Sequence, residues 1–107
     1  MTKLYLISRS DLPAGLQAAQ LAHSLRQFAA DFPAEDKGWH ETSNNLVLLE
    51  VADEAGLEHL ADRLDELGCH VARFREPDLG EKLTAISALG ERAHKALSSL
   101  PLALRAA

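Results

Sequence analysis

The stretch "KLYLISRSDLPAGLQAAQLAHSLRQF", Lys3 to Phe28, decides the fold. Its opening "KLYLIS" is mostly apolar and β-compatible, as a strand buried on both faces requires. "SRSDLPAG" follows as a loop, where Pro13 suits the first turn of a helix and Ser10 or Asp11 suits its cap. From there to about Ala30 the chain reads as a helix. Ala18, Leu21, Ala22, Leu25 and Ala29 fall on one stripe at ~100° per residue, with Phe28 at its edge. This stripe is the expected core face. Leu16, Gln20, His23 and Gln27 project nearly opposite, with Gln17 and Ser24 beside them. A solvated helix face usually carries Glu and Lys. This one carries amides and a histidine.

Outward from that stretch the pattern alternates. "DFPAEDKGWHETSNN" reads as a polar, breaker-rich connection holding Trp39, and "LVLLEV" (46–51) as a second buried strand. "DEAGLEHLADRLDEL" (53–67) is an amphipathic helix that Asp53 can cap and Gly68 stops. "CHVARF" (69–74) is a third strand, "REPDLGEK" a turn and "LTAISAL" (83–89) a fourth strand. "GERAHKAL" starts a last helix, and the apolar tail packs down at least to Leu104. The order β-α-β-α-β-β-α predicts one α/β domain over residues 1–107. It is a three-layer sandwich on a four-stranded mixed, mostly parallel sheet whose last two strands pair antiparallel.

Bulk composition narrows the function. A net charge of −5 argues against a protein that binds nucleic acid by wholesale phosphate neutralisation, while leaving room for a local basic groove. Cys69 is the only cysteine, so no internal disulfide is possible, and it reads as a small buried thiol. No run approaches the ~20 apolar residues of a membrane span, and no signal-peptide pattern opens the chain, so the expected location is cytoplasmic.

The common phosphate-loop, dinucleotide, zinc-protease and serine-elbow motifs are absent, and five scattered histidines with one cysteine predict no metal. Two places remain. The first is His23 among the helix amides, where an imidazole titrates without a fixed counter-charge. The same pattern also fits a plain helix surface. The second is "FREPDLGEKLTA", where Arg73, Arg75, Glu76, Asp78, Glu81 and Lys82 gather around a Pro–Gly turn before Thr84. Carboxylates beside arginines there suit water activation or phosphate positioning, or a solvated turn. Ser8 and Arg9 end the first strand, where an arginine meets phosphate or only solvent. Trp39 either stacks on a base or plugs the edge of the core, and His40, His59, His70 and Lys95 read as surface.

The opening also resembles the type-2 peptidyl-tRNA hydrolase family, through Arg9, Asp11-Leu12, Gly15, Ala18-Ala19-Gln20 and His23. "FREPDLGEKLTAI" is similar to the bacterial branch, in which an acidic turn is followed by a threonine. The resemblance spans nearly the whole chain. It implies hydrolysis of the ester joining a peptide to the terminal ribose of tRNA, with no metal or organic cofactor, by a homodimer. It implies catalytic roles for Gln20, His23, Glu76 and Thr84, and substrate contacts from Arg9, Asp11, Gln17, Arg75 and Asp78. Two departures stand out. The family's catalytic lysine directly follows the glycine, where this chain has Leu16, and Glu76 replaces the usual Asp. The alternatives that follow are a non-catalytic binding module of the same fold and a hydrolase of another ester.

Overall fold

The computed structural model describes residues 2–105. Strand β1 (Lys3–Arg9) leads into helix α1 (Ala14–Asp31) and a second helix α2 (Pro33–Thr42). Strand β2 (Asn45–Val51), helix α3 (Glu54–Glu66) and strand β3 (His70–Glu76) follow. A 3₁₀ turn (Pro77–Leu79), strand β4 (Lys82–Leu89) and a short helix α4 (Ala93–Leu97) complete the chain. The expected strands and long helices are all present. Helix α2 replaces the irregular connection expected from Pro33 and Gly38, which look like breakers. Pro33, however, occupies the helix start, where it is favoured, and Glu35 and Asp36 complement the first-turn dipole.

The sheet is mixed and four-stranded, in the order β2-β1-β4-β3. Strands β1 and β2 are parallel, while β4 runs against both β1 and β3. Three of the four strands therefore share a direction. Because β4 lies between β1 and β3, two of the three pairings are antiparallel. The expectation of a mostly parallel sheet holds for strand direction and is corrected for pairing: sequence order shows that β3 and β4 are joined by a turn, not that β4 inserts beside β1.

Two apolar layers flank the sheet. Leu4, Leu6, Ala72 and Leu89 pack with Leu21, Phe28 and Trp39 on the α1–α2 side. Tyr5, Ile7, Val71, Ile86 and Ala88 pack with Leu57, Ala61, Leu64, Ala93 and Leu97 on the α3–α4 side. Strand alternation assigns each residue its layer. Trp39 plugs the edge of the first layer and donates its indole N–H to the Asn45 carbonyl at 3.0 Å. The tail runs along the free edge of β2: Leu102 bridges to Leu49, and Ala103 N–H reaches the Leu48 carbonyl at 2.9 Å. That covers part of an edge that would otherwise offer unpaired backbone to another strand.

Helix α1 lies differently from its hydrophobic pattern. Gln17, Gln20, Leu21, Ser24 and Phe28 are its buried residues, whereas Ala18 and Ala22 are exposed. The helix is turned because the sheet beneath it presents hydroxyls. Ser8 donates to Gln17 Oε1 at 3.1 Å, Thr84 to Gln20 Oε1 at 2.6 Å, and Ser87 to the Ser24 carbonyl at 2.9 Å. Burying an alanine gains little apolar area, while an unpaired buried hydroxyl costs roughly 1–3 kcal/mol. The polar stripe therefore faces inward, and no buried side-chain polar atom among the described residues lacks a partner. Pro13 stands at the N-cap itself, one position before the first helical turn where it was expected, and neither Ser10 nor Asp11 caps the helix.

Candidate functional site

The inward seam reaches solvent at one end, and there the chemistry gathers. Thr84 is fully buried, Gln20 nearly so, and Glu76 half-buried. Thr84 donates to Gln20 Oε1, and Gln20 Nε2 donates to Glu76 Oε1 at 2.9 Å. An amide turned the other way would set its carbonyl oxygen against the carboxylate, so Glu76 determines the orientation of Gln20. The other carboxylate oxygen of Glu76 accepts a long 3.5 Å bond from the backbone N–H of Asp78, capping the 3₁₀ turn.

A bulge aims Thr84 into this seam. Phe74 pairs with Ala85 and Arg75 with Leu83, so Thr84 is the extra residue on β4. Thr84 and Ser87 are three residues apart, a spacing that puts side chains on opposite faces of a regular strand, yet both bond to α1. The bulge reconciles the two. Beyond it, the Leu83 backbone is held by side chains. Its N–H donates to Glu54 Oε2 at 2.9 Å, and its carbonyl accepts from Arg9 Nη1 at 3.0 Å. Sequence reasoning missed Glu54, which sits in the first turn of a conventional amphipathic helix and carries no motif.

His23 lies on the exposed side of α1, with its ring stacked on Phe74 at 4.6 Å between centroids and 16° between planes. Phe74 and Glu76 are alternate residues of β3 and share a face, about 7 Å apart along the strand. The imidazole and the carboxylate thus border the same stretch of surface. Leu16, half-buried, precedes Gln20 by one turn of α1.

The other expected contact residues separate. Gln17 is enclosed: its carbonyl oxygen accepts from Ser8, and its Nε2 donates to the Leu12 carbonyl at 2.6 Å. Arg9 gives Nε and Nη2 to Asp11 at 3.0 and 2.9 Å, in addition to its bond to Leu83. That bidentate pair pulls the Asp11 carboxyl below its ordinary range, chiefly through the hydrogen bonds. Arg75 points to the opposite face of the sheet, where it pairs with Glu58 at 3.0 Å, and Arg73 likewise pairs with Asp62 and Asp65. Asp78 is exposed on the 3₁₀ turn. Among the described residues no cluster of three metal-ligating side chains occurs, and no helix is long and apolar enough to cross a membrane.

The arrangement is a half-exposed carboxylate oriented by a buried amide and hydroxyl, beside an exposed imidazole. Such a set can accept a proton from water and align its lone pair. A family model described as peptidyl-tRNA hydrolase PTH2 matches residues 2–97. No curated protein matches the chain. Among solved structures, a protein of unknown function from Agrobacterium tumefaciens strain C58 is similar, with a TM-score of 0.66 at 14% identity. The match covers 94% of this chain and 96% of that one, and it shows a shared fold.

Proposed function

The chain belongs to the peptidyl-tRNA hydrolase PTH2 family, and we propose that it cleaves the ester between a peptide and tRNA with Glu76 as the general base. The observation that carries this reading is the buried relay from Thr84 through Gln20 to the half-exposed Glu76 carboxylate. Glu76 takes a proton from water as the water oxygen attacks the ester carbonyl. The proton then passes to the departing ribose hydroxyl, which leaves as free tRNA. Gln20 and Thr84 hold the carboxylate in one orientation, and His23, stacked on Phe74, donates to the developing oxyanion or to the leaving oxygen in this proposal. Gln17 and Arg9 act from inside the fold by positioning α1 and the Leu83 backbone. Asp11 holds the Arg9 guanidinium in place, Asp78 is left as an outer contact for a substrate larger than the site, and Arg75, paired with Glu58 on the other face, has no part in it. The family relationship supports peptidyl-tRNA as substrate. A cytoplasmic homodimer working without metal or cofactor completes the proposal.

Leu16 favours a second reading, in which the same fold binds tRNA without cleaving it, because an apolar side chain stands where the resembled family has a lysine. Turnover of N-acetyl-aminoacyl-tRNA separates the two. The hydrolase reading expects release of N-acetyl-amino acid by the wild type, and a loss of about 10²–10⁴-fold in Glu76→Gln. Tight binding of intact substrate with no release, and release appearing in Leu16→Lys, would establish the binding module instead.

A further inference from the structure

We infer that the chain has a second site, remote from Glu76, that binds a phosphate-bearing ligand of about nucleotide size in the groove between the end of α3 and α4. Arg63, Arg92 and Lys95 line this groove with Leu67, Ala96 and one carboxylate, Glu91. Its volume is about 550 Å³, within the ~300–1,000 Å³ of small-molecule sites.

The charge distribution makes the groove unusual for this chain. The protein carries a net charge of −5, and Arg9, Lys37, Arg73 and Arg75 each pair with a carboxylate. Arg63, Arg92 and Lys95 pair with none among the described residues, yet they converge on one concavity. The C-terminal ends of α3 and α4 favour the Arg63 and Lys95 cations and account for two of the three. Glu91 is one carboxylate against three cations and leaves part of their repulsion to be offset. A bound dianion would offset it through charge-assisted hydrogen bonds, with the guanidinium forks suited to phosphate oxygens. Leu67 and Ala96 supply an apolar wall for the remainder of the ligand.

The groove is separate from the Glu76 site. Helix α3 ends where β3 begins, and β4 ends where α4 follows, whereas Glu76 and Thr84 sit near the other ends of those strands. Seven residues of β3 put the two regions about 20 Å apart along the sheet, on opposite faces.

Calorimetric titration with ADP, adenosine and inorganic phosphate tests the assignment. ADP is expected to saturate a single site, phosphate to compete with it, and adenosine not to bind. The Arg63→Gln/Arg92→Gln double variant should lose at least about tenfold in ADP affinity with an unchanged melting temperature, and Arg92→Lys, which keeps the charge but not the fork, should lose less. Glu76→Gln should bind ADP as the wild type does, since the two sites are independent. Absence of ADP binding, equal affinity in the double variant, or binding of an RNA oligonucleotide through these cations when ADP does not bind would overturn the proposal.

Discussion

The Thr84 hydroxyl lies 2.6 Å from Gln20 Oε1 in a region closed to solvent, which leaves the amide only its NH₂ group to offer Glu76. Replacing Thr84 with Val keeps the shape and removes the donor, stranding a buried carbonyl oxygen. The expected loss is about 1–3 kcal/mol of stability by urea unfolding, with a fall in turnover. Thr84→Ser keeps the hydroxyl and should retain most of both. A Val variant as stable and active as the wild type would mean that the relay is incidental.

Gly90 packs against Cys69 so closely that a β-carbon at position 90 would sit 2.8 Å from the thiol sulfur. Gly90→Ala should therefore destabilise the fold by about 1–3 kcal/mol. Adding Cys69→Ala should recover part of that loss, because the backbone and β-carbon of residue 69 lie only 3.1 Å from the same point. Denaturant midpoints of the single and double variants check this coupling.

The Arg9–Asp11 pair makes a pH-dependent contribution of known sign. The folded carboxyl titrates below its ordinary value of 3.8, so the stabilisation is fully present above that value. It disappears as pH falls through the depressed one. Asp11 is 41% exposed, so solvent screening keeps the contribution small. The gap in urea midpoint between wild type and Asp11→Asn should be constant from pH 7 to about pH 5 and narrow below pH 4. A gap that widened on acidification would contradict the pairing.

Burial pushes the Cys69 thiol up from its ordinary value, and Asp65 adds to the shift. Alkylation by a small thiol reagent at pH 7 should be slow in the native protein and fast in urea. Native reactivity equal to that of the unfolded chain would place the thiol in the open.

Most of the framework was legible because strand and helix periods differ. "KLYLIS", "LVLLEV" and "LTAISAL" bounded strands to within a residue or two, and Asp53 caps α3 as expected, accepting from Gly56 N–H at 2.9 Å. The facing of α1 was not legible. Alanines at 18 and 22 score as apolar but gain little by burial, and the deciding partners Ser8, Thr84 and Ser87 lie on strands far along the chain. The site was half legible for the same reason. Gln20, Glu76 and Thr84 were each identifiable, but their meeting depends on a bulge that exists only once β3 and β4 pair. Arg75 looked like a neighbour of Glu76, yet successive residues of a strand face opposite layers, and its charge belongs to Glu58.

The role of Glu76 is tested by the single-turnover cleavage rate of N-acetyl-aminoacyl-tRNA by Glu76→Gln and Gln20→Leu beside the wild type, with folding verified by melting. With Glu76 as the base, the wild type cleaves, Glu76→Gln loses about 10²–10⁴-fold, and Gln20→Leu, which frees the carboxylate without removing it, loses less. Wild-type cleavage that survives undiminished in Glu76→Gln would contradict that role.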